Sequence, residues 1–191
     1  ADQIASRLLT TIVQPQEAPP ILWKDRLLGE LCDHIEATHH AYLKRELPRL
    51  SAIVEKVAKV HGPAHPELLD LRLVYEELRA ELEPHMIKEE RILFPAIRQL
   101  EQSTNQPGFP FGTVANPIRM MEHEHDIAGH ALKRIRSLTN NYQVPGDACN
   151  TWRVMLDGLE YLERDLHQHI HKENNILFPR ASERERAKSA T

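Results

Sequence analysis

The sequence predicts an all-α protein, an up-down-up-down bundle of four helices. Three observations predict it: apolar residues recur at spacings of three and four along four long segments, glycine is scarce at 7 residues, and most of the 13 prolines stand between those segments. Four amphipathic helices with short connections pack as antiparallel neighbours around one core. At 191 residues the chain is long enough for one such domain.

Helix A is predicted from about Trp23 to His61, where Gly62 and Pro63 end it. Its apolar positions are Leu43, Leu47, Leu50, Val54 and Val57. Helix B begins after Pro66, and a loop rich in glycine, proline and phenylalanine, from Ser103 to Asn116, follows it. The stripe of helix B runs through Leu71, Tyr75, Leu78, Leu82, His85, Glu89, Ile92 and Ala96.

Helix C begins near Pro117, a residue that suits a first helical turn, and helix D follows the segment from Asn140 to Asp147. The inner face of helix C is marked by Ile118, Met121, Ala128, Leu132 and Ile135. That of helix D is marked by Met155, Leu159, Leu162, Leu166, His169, Glu173 and Ile176. The twin Ile-Leu-Phe-Pro segments that reach Pro95 and Pro179 are interpreted as core packing followed by a helix-ending proline.

The chain is divided into three parts. Residues 1–20 are expected to be a stub with a proline-containing linker, the tail of an upstream domain; residues 21–181 form the bundle; residues 182–191 form a charged tail. The net charge of −4 gives no reason to expect nucleic acid, and no apolar run reaches the roughly 18 residues of a membrane span. The two cysteines form no C-x-x-C pair and no disulfide framework, which favours a reducing cytoplasm.

Ionisable side chains continue the apolar face of every helix. A buried carboxylate costs several kcal/mol unless it is paired or bound to a metal. A histidine and a glutamate four residues apart stand about 5–6 Å apart on one helix face, so both can reach one metal site. Four imidazoles and two carboxylates suit two iron ions, each with two histidines and with both glutamates bridging. The predicted ligands are His40, His85, Glu89, His125, His169 and Glu173.

An internal repeat supports these ligands. The segment from His85 to Pro95 matches the segment from His169 to Pro179 at a shift of 84 residues. His40 and His125 stand 85 residues apart, nearly the same shift. Each half is therefore predicted to be a helical hairpin that supplies one histidine and then a His-x-x-x-Glu pair. A pseudo-two-fold axis is expected to relate the two halves.

Two further acids stand four residues before a ligand histidine in the repeat. Glu81 precedes His85 at this spacing, and Asp165 precedes His169. Each acid is expected to accept the distal N–H of its ligand imidazole or to approach the bridge, since the histidines that bind metals usually donate their other ring N–H to a carboxylate or carbonyl.

Neighbouring histidines leave alternatives for two ligands. His39 could replace His40, and His123 could replace His125, if the helix phase were wrong by one residue. Helix phase and the common shift favour His40 and His125. His61 is not expected to be a ligand, because 21 residues of helix, about 31 Å of rise, separate it from His40.

The motifs together resemble the hemerythrin-like domain of the iron–sulfur cluster repair di-iron proteins, the RIC or YtfE/ScdA/DnrN group. The segments that carry the resemblance are Asp33-His-Ile through His40, Glu46-Leu-Pro48, His85-Met-Ile-Lys-Glu89-Glu with Ile-Leu-Phe-Pro95, Met121-Glu-His-Glu-His125-Asp-x-Ala-Gly129, and His169-Ile-His-Lys-Glu173-Asn-Asn-Ile-Leu-Phe-Pro179. The resemblance covers about Trp23 to Ala181. It implies a carboxylate-bridged centre of two irons, oxo-bridged when oxidised, and a cytoplasmic role in restoring clusters damaged by nitric oxide or oxidants. It also implies an upstream domain with a Cys-Cys motif and a link between Glu81 and the centre.

The resemblance makes iron donation the main functional expectation. Damaged iron–sulfur proteins or scaffold proteins are the expected partners, with nitric oxide or oxygen as small ligands. Oxygen-carrying hemerythrins would have a further histidine four residues from the helix C ligand, where this chain has Met121 and Gly129, so open positions are expected. Two alternatives stay open, an oxygen or nitric oxide binding or sensing protein and a di-iron nitric oxide reductase. Whether the protein is an enzyme is therefore undecided. A structural zinc site has no use for two bridging glutamates.

Overall fold

The structure is a computed structural model that describes residues 22–189. The predicted stub and linker lie outside the described residues, as do the last two residues of the predicted tail. Helix A consists of α1 (Leu28–Ile35), a π-helical turn (Glu36–His40) and α2 (Ala41–His61). Helix B consists of α3 (Glu67–Lys88), a π turn (Glu89–Leu93) and α4 (Phe94–Gln102), and helix C is α5 (Ala115–Leu138). Helix D consists of α6 (Asn150–Lys172), a π turn (Glu173–Leu177) and α7 (Phe178–Ser189).

The predicted all-helical fold of four long helices is confirmed, and residues 22–189 contain no β-strand. Helix A packs against helices B and D, and helix B packs against helix C. The core has two parts. One part is centred on side chains such as Leu47, Tyr75, Leu132 and Trp152, the other on Ile35, Phe94, Ile118 and Phe178. Helices A and C run from the second part to the first and helices B and D run back, so the chain direction alternates.

The π turns of helices B and D shift the apolar face by one residue. A π turn contains one more residue than an α turn, and here the Phe94 amide donates to the carbonyl of Glu89, five residues earlier. Ile92, which is predicted on the buried stripe, is therefore not a member of it, and Ile176 is only partly buried against the second part of the core. Ile92 is 45% exposed, and the side chains that follow Ile92 and Ile176 in the chain, Leu93 and Leu177, are buried instead.

The prediction that Pro95 and Pro179 end their helices is wrong. Each proline is the second residue of the α segment that follows a π turn, and the helices continue to Gln102 and Ser189. A proline inside an α-helix removes one amide donor and presses on an earlier carbonyl. The wider π turn just before it relieves both problems, because the hydrogen-bond register has already moved by one residue.

The ends of the helices differ from the sequence prediction at two places. Helix A begins at Leu28 and not near Trp23, because the amides of Leu28 and Gly29 donate to the Glu101 carboxylate of helix B at 2.7 and 2.9 Å. The charged segment after Ala181 continues helix D to Ser189, and its Glu185 is buried, where it accepts a hydrogen bond from the Val114 amide. Within the described range, no helix has both the length and the apolar character of a membrane span.

Candidate metal centre

The six predicted ligands meet between the two parts of the core, and all six are buried. Their ligand atoms form two sets of four, and within each set the atoms lie within 4.8 Å of one another. The His40 set consists of His40, Glu89, His169 and Glu173, and the His85 set consists of His85, Glu89, His125 and Glu173. The two glutamates belong to both sets, which is the arrangement that two cations with bridging carboxylates require.

The carboxylates of Glu89 and Glu173 face imidazole Nε2 atoms from several helices. The oxygen-to-Nε2 separations are 3.2 Å for His40–Glu89, 3.4 Å for His85–Glu89, 4.0 Å for His169–Glu89, 3.1 Å for His169–Glu173 and 3.2 Å for His125–Glu173. The Nε2 atoms of His85 and His125 lie 3.2 Å apart. Nitrogen and oxygen donors therefore converge from helices A, B, C and D on one small volume.

Buried atoms without partners show that these residues fit a metal. Among residues 22–189, both carboxylate oxygens of Glu89 and of Glu173 are buried and make no hydrogen bond, and the same is true of the Nε2 atoms of His40 and His169. Buried carboxylates without hydrogen bonds are strongly unfavourable unless a cation or a paired charge compensates them. A mixed imidazole and carboxylate donor set suits iron and other first-row ions better than calcium or magnesium.

The charges of the centre shift the pKa values of its own groups. Burial by itself lowers the pKa of His85, but the charge of Glu89, whose Oε1 lies 3.4 Å from His85 Nε2, and the hydrogen bond to Glu124 outweigh it and raise the pKa to about 9. Burial favours the neutral form of Glu89, yet the charge of His85 and the contacts with His40 and His169 hold the pKa of that carboxyl well below its usual range. Without a metal, these interactions favour the protonated form of His85 and the ionised form of Glu89.

Three of the four candidate ligand histidines have a hydrogen-bond acceptor at Nδ1, the ring nitrogen that faces away from the centre. His40 Nδ1 donates to Glu90, His85 Nδ1 to Glu124, and His125 Nδ1 to Asn174, each over 2.8 Å. Such a bond fixes the tautomer, so that the Nε2 lone pair points at the metal site, and raises the basicity of the ring. Sequence reasoning missed these three acceptors, although each stands next to a ligand in the chain.

Glu81 does not take the position expected from the sequence. Its side chain is exposed, and the acceptor for His85 Nδ1 is Glu124 on helix C. Four residues along an α-helix turn the side-chain direction by about 40° beyond a full circle. That rotation, combined with the neighbouring helix C, leaves Glu81 on the outer surface while Glu124 reaches the ring from across the interface.

Asp165 also has a different partner from the one expected. Its Oδ1 accepts a hydrogen bond from His39 Nδ1 at 2.9 Å, and it makes no hydrogen bond to His169. His39, the alternative to His40, is buried but lies outside both ligand sets, since its Nε2 accepts from Lys172 at 2.6 Å. His123, the alternative to His125, is exposed.

His61 lies far from the ligands, as the helical rise predicts. It stands at the last residue of α2, with its ring 4.8 Å from the ring of Trp152 in the first part of the core. Its Nε2 lies 3.2 Å from the Sγ atom of Cys149, and it belongs to neither ligand set. Both cysteines of the chain are free.

Comparison with known proteins agrees with this geometry. Residues 30–181 match the family model described as the Hemerythrin HHE cation binding domain. The Iron-sulfur cluster repair protein YtfE of Dickeya chrysanthemi is 43% identical over 185 residues, which cover 94% of this chain and 76% of the relative. This chain belongs to the hemerythrin-domain family of iron–sulfur cluster repair proteins. Two further family members are similar. The Iron-sulfur cluster repair protein YtfE of Escherichia coli O81 is 41% identical over 183 residues, which cover 94% of this chain and 76% of the relative. The Probable iron-sulfur cluster repair protein of Haemophilus influenzae is 39% identical over 158 residues, which cover 83% of this chain and 67% of the relative.

This member of the repair family has no additional ligand next to His125 on helix C. Met121, four residues before it, is buried in the second part of the core. At Gly129, four residues after it, a side-chain carbon would meet no atom within 4 Å. Neither position offers a nitrogen or oxygen donor, so the two sets hold four protein groups each, fewer than the six ligands of an octahedral ion.

Proposed function

We propose that this protein repairs iron–sulfur clusters damaged by nitric oxide or oxidants, and that it does so by giving up iron from a carboxylate-bridged centre of two irons. The observation that carries the proposal is the presence of two buried ligand sets that share Glu89 and Glu173. The names of the relatives, which are iron–sulfur cluster repair proteins, favour repair over the alternatives.

The residues of the chain have distinct tasks in this proposal. His40, His85, His125 and His169 hold one ion in each set through Nε2, and the two glutamates hold both ions. When bound, the irons supply one-electron redox chemistry and positions for nitric oxide or oxygen. The apolar side chains on either side of the centre keep bulk water from the ligands.

The shared glutamates suit a centre that releases its cargo. Neither carboxylate accepts a hydrogen bond within the described part of the chain, so only the cations and the facing imidazoles fix its orientation. A carboxylate without such anchors can turn from two cations to one without breaking other contacts. Histidines with anchored Nδ1 atoms stay in place and keep the site ready for reloading.

Damaged iron–sulfur proteins or scaffold proteins are the proposed recipients of the iron. A reducing cytoplasm is the proposed compartment, because both cysteines are free and because the ferrous ions to be transferred need reducing conditions. Nitric oxide and oxygen are the proposed small ligands of the loaded centre.

The test is anaerobic restoration of a cluster. The protein is loaded with ferrous iron, the bound iron is counted, and it is mixed with a purified [4Fe–4S] hydratase whose cluster has been degraded by nitric oxide, with sulfide and a thiol reductant present. About two irons per chain and recovery of the cluster absorbance are expected. Glu173→Gln should lose the recovery, whereas Glu160→Gln, an exposed glutamate on the same helix, should keep it.

Other outcomes identify the alternative functions. A coloured adduct that forms in air and disappears reversibly on deoxygenation, with no cluster recovery, would contradict repair and indicate an oxygen binder. Sustained nitrous oxide production with an electron supply and no iron transfer would indicate a nitric oxide reductase.

A further inference from the structure

The internal repeat relates the His40 set to the His85 set, but at one position the chemical role of the residue changes. Residues at a shift of 84 or 85 form the pairs His40/His125, His85/His169, Glu89/Glu173, Glu90/Asn174, Lys88/Lys172 and His39/Glu124. Most pairs keep the chemical role of the residue, since Glu90 and Asn174 both accept a hydrogen bond from a ligand histidine. The pair His39/Glu124 does not, because an imidazole stands where the other half has a carboxylate.

In the His85 set, the ligand His85 is anchored by Glu124 of helix C. Its Nδ1 donates to Glu124 Oε2 over 2.8 Å, and Lys88 donates to the other oxygen of the same carboxylate. Glu124 is therefore held by a lysine from helix B while it accepts the hydrogen of the ligand ring. Both histidines of the His85 set, His85 and His125, thus have an acceptor at Nδ1.

In the His40 set, His39 occupies the position that corresponds to Glu124, and it cannot accept a hydrogen bond from the ligand His169. Lys172, the counterpart of Lys88, donates to His39 Nε2 over 2.6 Å, and His39 Nδ1 donates to Asp165 over 2.9 Å. Both ring nitrogens are engaged, so no lone pair remains for the ligand His169. The His39 ring instead stacks face to face on the His169 ring, with centroids 5.3 Å apart and planes 3° from parallel.

His169 is consequently the one ligand histidine whose Nδ1 is buried without a hydrogen-bond partner in the described structure. The nearest acid along helix D, Asp165, is bound to His39 through Oδ1, and its Oδ2 makes no hydrogen bond either. Loss of a partner at the distal nitrogen typically weakens metal binding by about 10–100-fold. The His40 set lacks one such partner, while the His85 set has both.

We propose that the cation in the His40 set is the more weakly held of the two and leaves first, and that His39 is the positioning residue responsible for this difference. The inference rests on the proposed function, because it names which of the two irons is the one donated. The His85 set, in which both histidines are anchored at Nδ1, would retain its cation in the half-loaded protein.

The experiment follows release of iron to a chelator. The full chain is loaded anaerobically with two ferrous ions, excess iron is removed, and a chromogenic ferrous chelator is added while absorbance is recorded. Two phases of equal amplitude are expected, one iron per chain each, with rates at least about tenfold apart. The iron that remains after the first phase is counted on rapidly desalted protein.

Two variants assign the phases. His39→Glu places a carboxylate acceptor beside His169, as in the other half, and should slow the fast phase about tenfold or more without changing the slow one. Glu124→Ala removes the acceptor of His85 and should accelerate the slow phase by a similar factor. Glu122→Ala, an exposed glutamate two residues away on helix C, serves as the control and should leave both phases unchanged.

The release kinetics test the inference and the proposed function separately. Release of both irons in a single phase from the unmodified protein, or a fast phase that His39→Glu leaves unchanged, would overturn the inference while two bound irons per chain keep the proposed function intact. Failure of the unmodified protein to retain iron would overturn the proposed function itself. If circular dichroism shows that His39→Glu does not fold, the response of the slow phase to Glu124→Ala decides, and no response overturns the inference.

Discussion

The Nε2 atoms of His85 and His125 face each other across 3.2 Å in the buried centre. The Nδ1 atoms of both rings already donate to Glu124 and Asn174, so each neutral ring presents a lone pair at Nε2. Two lone pairs at this separation repel unless a proton or a cation lies between them. Two nitrogens bound about 2.0–2.1 Å from one metal ion lie roughly 3 Å apart, so the rings are already spaced as ligands of one ion.

In the metal-free protein a proton on His85 compensates the buried negative charge, and this makes the stability of the fold depend on pH. The folded pKa of His85 is about 9, above its ordinary value of 6.5. This raised pKa contributes stability fully below pH 6.5, and the contribution is lost as the pH rises through 9. The loss is on the order of 3 kcal/mol, or about 6–12 °C in the melting temperature.

Thermal unfolding of metal-free and iron-loaded protein between pH 6 and 9.5 is the measurement. The metal-free melting temperature should fall across this range, whereas the loaded protein should change little, because metal binding requires deprotonated imidazoles. The gain from iron should therefore grow with pH. A metal-free melting temperature that stays flat would contradict the proton-for-metal exchange.

Asn174 anchors a ligand histidine, while its neighbour Asn175 does not. The Asn174 side-chain oxygen accepts from His125 Nδ1 at 2.8 Å, and the Asn175 amide contacts the exposed His171. Asn174→Ala should lower the affinity for ferrous iron by about 10–100-fold in an equilibrium competition with a chelator. Asn175→Ala should have no measurable effect, and equal losses in the two variants would show that the hydrogen bond to His125 is unimportant.

The convergence of the six candidate ligands could be predicted from the sequence because the signals that mark these residues are local. Buried histidines and glutamates continue the apolar stripes of helices B and D, and the repeat at a shift of 84 ties the two pairs together. Those signals need only the helical period and the cost of burying charge. Hence the helix phase selected His40 over His39, and the structure places His40 and not His39 among the converging ligand atoms.

The partners of the ligands could not be predicted, because they depend on contacts between helices. Glu81 stands one helical turn before His85 and Glu124 stands directly before His125, and only the packing of helix C on helix B brings Glu124 to His85. The spacing of the apolar residues also does not indicate where the π turns occur. Each π turn adds one residue to a turn of its helix, so the sequence stripe placed Ile92 inside, where the structure has Leu93.

Cys149 is predicted to be reactive near neutral pH. It is exposed at the N-cap of α6, where the nearby Trp152 amide and the contact with His61 Nε2 lower the pKa of the thiol to about 7. The rate of alkylation by iodoacetamide should therefore rise with a midpoint near pH 7, below the ordinary value of about 8.5. His61→Ala should move the midpoint upward.

Cys32 provides the internal control for this labelling. It is fully buried, and burial raises the pKa of its thiol, so mass spectrometry should find it unlabelled in the folded protein and labelled after denaturation. A midpoint for Cys149 near pH 8.5, or one that His61→Ala leaves unchanged, would contradict the assigned contact.

Helices A and D approach closely at Gly158 of helix D. Gly129 of helix C, where there is space for a side chain, provides the control. A side-chain carbon at Gly158 would lie 2.5 Å from Leu50 Cδ2, whereas one at Gly129 would meet no atom within 4 Å. Gly129→Ala should raise the free energy of unfolding by about 0.5–1 kcal/mol, because alanine favours helix over glycine. Gly158→Ala should instead lower it by about 1–3 kcal/mol, since the added methyl group overpacks the interface.

A double-mutant cycle separates the steric clash from other effects of Gly158→Ala. Leu50→Ala alone should cost about 2–5 kcal/mol through the cavity it leaves. In the double variant the new methyl group occupies part of that cavity, so the combined loss should be smaller than the sum of the single losses by about 1 kcal/mol or more. Urea unfolding of the metal-free proteins at one pH gives these values. Additive losses would show that Leu50 does not limit the approach of the two helices.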